Sequence, residues 1–200
     1  MKTLCYLVLL FSIPAAFGQQ FFVRDSAVAF QKRLDSEYAD KKQSPLTEQD
    51  RKKFNGLHYY PVDGKYFVLA KLTRTQNEIP FAMPTTTERK PMYVKYGEIS
   101  FTLDGKACQL NVYQSIDLSK SEKYKNYLFL PFLDLTSGEE SYGGGRYIDL
   151  TVPDGDVIAI DFNRAYNPYC AYNNKYSCPI TPRENTLDVA IEAGVKKFHD

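Results

Sequence analysis

A short stretch in the last third of the chain contains the residues whose types best suit ligand binding. Arg146 follows three successive glycines, and Asp161 and Asn163 end the next alternating apolar segment. A guanidinium can pair with a carboxylate or a phosphate. The N–H groups of Gly144 and Gly145 can form an anion-binding nest, although three glycines also suit a plain turn. The pattern predicts a site for a small polar or anionic ligand around Arg146, Asp161 and Asn163.

The loop that follows, residues 164–186, is rich in tyrosine, asparagine and proline. Its four tyrosines are Tyr166, Tyr169, Tyr172 and Tyr176. Phenol rings above a strand end can act as a lid that stacks on a ligand, or they can simply cover the end of the sheet. We count Asn167 and Tyr172 of this loop, and Asn185 at its end, among the candidate ligand-binding residues.

Cys170 and Cys178 lie in the same loop, at a spacing that permits a disulfide. Pairing them would contribute about 2.5 kcal/mol on the chain-entropy model. Two free thiols or a metal pair are the alternatives. Two cysteines cannot complete a tetrahedral zinc site alone, and the histidines, His58 and His199, lie far from them in sequence. We therefore expect a disulfide, and neither a metal nor a cofactor.

The same region admits two other interpretations. In the first, the protein is a hydrolase in which Asp161 and Glu184 share general acid and base catalysis. A serine or cysteine nucleophile is disfavoured there, because no histidine lies nearby in sequence. In the second, Arg146 and Asp161 form a buried ion pair and the loop is a plug. Two carboxylates that converge on one cavity would favour the enzyme, and a fully packed loop would favour the plug.

The composition restricts the partners and the compartment. The 200 residues carry 25 basic and 24 acidic side chains with no long basic run, so neither nucleic-acid binding nor a polybasic membrane tether is expected. Residues 1–18 contain a lysine, a short apolar core and small residues at 16 and 18, which is typical of a removable signal peptide. We expect an exported protein, periplasmic or extracellular, without a membrane-spanning segment. The sequence does not decide the oligomeric state.

The elements that position these residues begin with two predicted helices. Apolar side chains recur at spacings of three and four from Val23 onward, and Asp25 or Ser26 can cap the first turn. Thr47 and Asp50 approximate a capping box at the start of a second, short helix. Each helix is expected to pack one apolar stripe against the rest of the protein.

A first hairpin is predicted around Asp104 and Gly105, a strong two-residue turn signal. The pairs on one face are Phe101 with Cys108, Ile99 with Leu110 and Gly97 with Val112, and those on the other are Glu98 with Asn111 and Ser100 with Gln109. The large apolar groups then share one face, as a half-buried antiparallel ladder requires. Cys108 is accordingly predicted to be a buried, unpaired core residue.

A second hairpin is predicted after a central strand at 127–135. Residues 146–152 are expected to return through a turn at 153–156 and to pair with residues 157–163. This register sets Arg146 opposite Asn163 and diagonal to Asp161, within reach of a long side chain.

These elements predict a mainly β fold, an antiparallel barrel or sandwich with the N-terminal helices packed on one side. We expect one structural unit after the signal peptide, made of a helical segment, 19–58, and a β domain, 59–200. The tail at 187–198 is predicted to be a strand, since Leu187, Val189 and Ile191 alternate and Gly194 would interrupt a helix.

Several stretches resemble the family called domain of unknown function 1684. They are 44–47 (SPLT), 54–57 (FNGL), 142–149 (YGGGRYID) and 161–172 (DFNRAYNPYCAY), and 178–185 (CPITPREN) extends the match. The chain departs from the Gly-Glu-Lys-like ending of many relatives, with Val195 after Gly194. The family is bacterial and archaeal and has no established activity. The resemblance therefore implies where the site lies, and it implies no substrate.

Overall fold

The described residues, which are 21–199 in the computed structural model, form two α-helices and seven strands, with five short 3₁₀ turns. The predicted signal peptide, 1–18, lies outside the described residues. The helices are α1 (Arg24–Ala39) and α2 (Glu48–Lys53), and the strands are β1 (Phe67–Arg74), β2 (Phe81–Ala82), β3 (Met92–Leu103), β4 (Lys106–Ser115), β5 (Tyr127–Phe132), β6 (Arg146–Thr151) and β7 (Val157–Asp161).

The strands form one antiparallel sheet in the order β6-β5-β4-β3-β1-β7, and β2 pairs with β3 beside this row. The prediction of a mainly antiparallel β fold is therefore confirmed. The sheet curls into a half-barrel whose edge strands are β6 and β7. Neither a closed barrel nor a two-sheet sandwich is established.

The hairpin of β3 and β4 has the predicted register from the turn to the pair of Gly97 with Val112, and a bulge follows between Lys95 and Gly97. Phe101 pairs with Cys108 and Ile99 with Leu110. Asp104 and Gly105 have φ angles of 50° and 74°, as a two-residue hairpin turn with both central residues in the left-handed region requires. Cys108 is buried and unpaired, as predicted, and burial raises the pKa of its thiol.

The second predicted hairpin is wrong. β6 pairs with β5, which sets Arg146 opposite Phe132. β7 pairs instead with β1, which sets Asp161 opposite Phe67. The segments before and after the turn at 153–156 thus lie at opposite edges of the sheet rather than side by side.

The core explains why the two segments separate. Ile148 and Leu150 of β6 are buried together with Ile158 and Ile160 of β7. The predicted register would have placed these two pairs on opposite faces of the sheet, because side chains alternate along a strand. By crossing to the far edge at 153–156, the chain buries both pairs on the concave face.

The C-terminal tail fills the half-barrel without becoming a strand, so the predicted strand at 187–198 is wrong. Leu187, Val189, Ile191 and Ala193 are buried in the core, and the residues between them are more exposed. The alternation was therefore a correct signal of burial. The tail forms only isolated backbone contacts, such as the bridge between Val195 and Tyr59.

The two helices lie where the sequence predicted them, with one difference in capping. Thr47 caps α2 and accepts a hydrogen bond from the Asp50 N–H at 3.1 Å, as predicted. The N-cap of α1 is Val23, which provides no side-chain hydrogen bond, so capping by Asp25 or Ser26 is wrong. Within residues 21–199, no helix has the length and apolar character needed to cross a membrane.

Candidate functional site

Arg146 lies in the core and pairs with Asp134, not with Asp161. Its Nη2 donates to Oδ2 of Asp134 at 2.8 Å, and both side chains have an exposed fraction of 0%. The predicted pairing with Asp161 is wrong because it depended on a β6–β7 register that does not form. Arg146 shares the concave face with Ile148, whereas Asp161 ends β7 at the other edge of the sheet.

Asp134 and Arg146 hold the C-terminal tail inside the half-barrel. Nη1 of Arg146 donates to the Ala193 carbonyl, and Nη2 donates to the Ile191 carbonyl at 2.8 Å. Oδ1 of Asp134 accepts from the Ile191 N–H at 3.2 Å. The guanidinium also lies over the Phe132 ring, 5.2 Å from its centroid. This environment leaves the guanidinium no exposed face for an anion, and it supports a structural role with Asp134 as the partner.

Asp161 and Asn163 make local contacts at the end of β7. Oδ1 of Asp161 accepts from the backbone N–H of Asn163 at 3.1 Å and from its Nδ2 at 2.8 Å. Asn163 also donates from Nδ2 to the Asp63 carbonyl and accepts from the Asp63 N–H, each at 2.9 Å. The pair therefore fixes the chain after β7 to the loop before β1.

One of the two N–H groups of the predicted glycine nest has a partner within the protein. The N–H of Gly145 donates to the Tyr142 carbonyl at 3.0 Å, and the Gly144 carbonyl accepts from Oγ1 of Thr181 at 3.0 Å. Gly145 has a φ of +87°, and a Cβ there would lie 2.5 Å from the Phe132 carbonyl oxygen. Glycine is required at this position by its conformation and by the close approach to β5.

Asn167 and Tyr172 lie beneath α1. Nδ2 of Asn167 donates to the Lys196 carbonyl at 2.9 Å. Its Oδ1 and the hydroxyls of Tyr172 and Tyr38 are buried, without a hydrogen-bond partner among the described residues. The rings of Tyr38 and Tyr172 are 4.9 Å apart. Buried polar atoms of this kind are commonly satisfied by ordered water.

Asn185 joins two strands that barely pair with each other. Its Nδ2 donates to the carbonyls of Asn111 at 2.8 Å and Pro131 at 2.7 Å, and its Oδ1 accepts from the Asn111 N–H at 3.0 Å. The ladder between β4 and β5 contains a single residue pair, Tyr113 with Phe129. The side chain therefore supplies the bonds that a neighbouring strand would otherwise provide.

The two carboxylates proposed for hydrolysis are not brought together at either described cavity. Asp161 borders a cavity of about 170 Å³ between β6 and β7, whose walls include Leu150 and Ala159. Glu184 lines neither that cavity nor the larger one, and its Oε1 accepts from the Tyr113 hydroxyl at 3.2 Å. No observation on these two residues favours a hydrolase.

Cys170 and Cys178 lie next to each other as free thiols, and no disulfide joins them in the structure. The Cys170 N–H donates to Sγ of Cys178 at 3.2 Å. A hydrogen bond from Cys178 lowers the pKa of Cys170 to about 6, and the same bond raises that of Cys178. The predicted disulfide stays a prediction.

A second apolar cluster lies on the convex face of the sheet, and beside it is a cavity of about 410 Å³ that we call the tyrosine cleft. One wall comes from alternate residues of β5 and β6, and a second from loop 164–186. The third wall is the face of α1 that carries residues 30, 33, 34 and 37, whose spacing places them together. Its tyrosines are Tyr93, Tyr127, Tyr147, Tyr166 and Tyr169.

Asp149 is the polar centre of the tyrosine cleft. It lies opposite Phe129 on the neighbouring strand, and its Oδ1 accepts from the hydroxyls of Tyr127 at 2.8 Å and Tyr166 at 2.6 Å. Burial and the Asp149 charge raise the pKa values of both phenols, which therefore stay protonated and act as donors. Asp149 is exposed and forms no ion pair with any described residue.

The sequence indicated only one wall of the tyrosine cleft. The loop tyrosines were interpreted either as a lid on a ligand or as a cover for the sheet end, and two of them, Tyr166 and Tyr169, line the tyrosine cleft. Asp149 and the tyrosines of the sheet were not singled out. A signal existed in β5, where Tyr127 and Phe129 alternate with Leu128 and Leu130, because a strand with large apolar side chains on both faces must be covered on both.

Comparison with known proteins gives a family and a related structure. The model of the family described as "Protein of unknown function (DUF1684)" matches residues 52–196. The solution NMR structure of an uncharacterised protein from Haloarcula marismortui is 35% identical to this chain. The alignment covers 86% of this chain and 92% of that protein, with a TM-score of 0.67. No curated protein matches the chain. The chain belongs to the DUF1684 family.

Proposed function

We propose that the protein binds a small molecule in the tyrosine cleft, with loop 164–186 as the wall that covers it. The cavity carries the proposal: it has a volume of about 410 Å³ and a lining of mostly apolar and aromatic side chains, and on its wall lies Asp149, whose carboxylate forms no ion pair with a described residue. Small-molecule sites are typically concave and mostly apolar, with a few polar groups that fix orientation. The ligand site that we propose is therefore on the outer face of β6, whereas the sequence had suggested a site around Arg146, on the buried face of the same strand.

The proposal predicts that ligands shift the resonances of the tyrosine cleft. In a fragment screen followed by ¹H–¹⁵N spectra of the full chain, hits should perturb the amides of Asp149, Tyr166 and Tyr169. Leu118→Trp places a larger side chain on the wall of the cavity, and we expect it to weaken these hits at least fivefold. Leu135→Trp is the matched control, because Leu135 is an exposed leucine that does not line the tyrosine cleft.

Two results would contradict this function. Hits that perturb only residues outside the tyrosine cleft would place binding elsewhere. Hits that keep their affinity in Leu118→Trp would separate binding from the cavity. Unchanged far-ultraviolet circular dichroism in both variants is needed as evidence that they fold.

We further propose that the protein is exported and that Cys170 and Cys178 form a disulfide in an oxidising compartment. The two cysteines lie next to each other, which supports the disulfide.

In native oxidised protein, iodoacetamide should label neither cysteine. After reduction, Cys170 should be alkylated with a half-maximal rate near pH 6, since its thiolate form predominates above the pKa of about 6. Peptide mass analysis measures both, and Cys108 should be labelled only after denaturation. Ready labelling of Cys170 in the oxidised protein would eliminate the disulfide.

A further inference from the structure

We propose that the occupant of the tyrosine cleft carries a cationic amine or quaternary ammonium group beside Asp149 and the surrounding aromatic rings. This inference rests on the proposed function and deepens it by assigning a chemical class to the ligand. Three features of the cavity support it: its hydrogen-bonding groups, its aromatic lining and its balance of charge.

The polar groups around Asp149 are hydrogen-bond acceptors. The hydroxyl protons of Tyr127 and Tyr166 are donated to Oδ1 of Asp149. The hydroxyl proton of Tyr147 is donated to the Pro179 carbonyl. Each phenol oxygen keeps lone pairs, and a carboxylate only accepts. A ligand group next to these atoms must therefore donate a hydrogen bond or carry a positive charge, and an ammonium group is positively charged whether or not it has N–H bonds.

Aromatic side chains line much of the tyrosine cleft, and those beside Asp149 pack edge to face on one another. Phe129 and Tyr147 have centroids 4.7 Å apart and planes at 77°, and Tyr147 and Tyr166 have centroids 5.9 Å apart and planes at 88°. The face of an aromatic ring attracts a cation, and proteins commonly recognise quaternary ammonium groups with aromatic side chains. Among the described residues, no arginine or lysine stacks on these three rings. Phe30, by contrast, already has Arg33 and Arg164 at 5.2 and 5.1 Å from its ring centroid.

The charges that line the tyrosine cleft favour a cation once ion pairs are considered. Besides Asp149, the ionised side chains on its walls are Arg33 and Glu37 of α1. These two form an ion pair with 3.6 Å between Nε and Oε1. Their charges largely cancel, and the charge left for a ligand is that of Asp149.

Three probes of similar size test the inference by isothermal titration calorimetry on the full chain. They are benzyltrimethylammonium, benzyl alcohol and benzoate, which are cationic, neutral and anionic. We expect benzyltrimethylammonium to bind at least fivefold more tightly than the other two. Asp149→Asn keeps the shape of the side chain and removes its charge, and it should reduce that preference to less than twofold. Asp154→Asn makes the same change in charge on an exposed turn residue and should leave the preference intact.

The outcomes separate this inference from the proposed function. Suppose that benzyl alcohol or benzoate binds as tightly as benzyltrimethylammonium, or more tightly, and that Leu118→Trp weakens this binding. That result would overturn the proposal of a cationic ligand and leave the proposal of small-molecule binding in place. An unchanged preference in Asp149→Asn would also overturn it. No binding by any of the three probes, together with no fragment that perturbs the tyrosine cleft, would overturn both.

Discussion

Replacing Asp134 by alanine is expected to lower the free energy of unfolding by about 3–5 kcal/mol, the cost of breaking a buried ion pair from one side. The change leaves the guanidinium of Arg146 buried without a counter-charge. It also removes the acceptor for the N–H of Thr136 at 2.8 Å and of Ile191 at 3.2 Å. Urea denaturation followed by far-ultraviolet circular dichroism measures the loss.

Two comparisons make this result specific. Asp161→Ala removes the residue that the sequence had paired with Arg146, and it should cost only about 1 kcal/mol because it loses a local cap. The double variant Asp134→Ala/Arg146→Ala should lose less than the sum of its single variants, since the two side chains act as one unit. Equal losses in Asp161→Ala and Asp134→Ala would contradict the assigned pair.

The second large effect is expected at Asn185. Alanine at this position leaves the Asn111 N–H, the Asn111 carbonyl and the Pro131 carbonyl without their partner, and each unsatisfied buried group costs about 1–3 kcal/mol. We expect a total loss of about 3–5 kcal/mol, because relaxation and water recover part of that cost. Thermal and urea unfolding measure it.

Asn174→Ala is the matched control for Asn185→Ala. Asn174 is an exposed asparagine of loop 164–186, and its replacement should change stability by no more than about 0.5 kcal/mol. A loss below about 1 kcal/mol in Asn185→Ala would show that the side chain does not hold β4 and β5 together. A ligand-binding role alone, as the sequence suggested, would instead leave the stability of the free protein unchanged.

The sequence predicted local strand pairing well and long-range strand pairing poorly. The register of β3 and β4 follows from Asp104 and Gly105, because a two-residue turn leaves one pairing that buries Ile99 and Leu110 together. The turn at 153–156 carried a similar signal. Its flanking strands nevertheless pair elsewhere, because burying Ile158 requires a partner on the far edge of the sheet. That partner, β1, lies about ninety residues away, so the sequence around the turn does not indicate it.

The same limit affected the candidate site. Arg146 was predicted to bind a ligand beside Asp161, but its partner is Asp134, which lies just beyond the end of β5 in a segment that the sequence predicted to be an ordinary strand. The loop tyrosines became candidates because tyrosine, asparagine and cysteine cluster in this part of the sequence. Asp149 could not be assigned without knowing that β5, β6 and α1 meet over it, which depends on tertiary packing.

The pairing of β1 with β7 has a consequence for how the half-barrel assembles. Phe67 and Asp161 are about ninety residues apart in the chain, whereas β3 and β4 are joined by a two-residue turn. Closing the longer loop costs on the order of 3 kcal/mol more chain entropy, as the logarithm of loop length implies. The pairing of β1 with β7 is thus the strand contact that the unfolded chain samples least often.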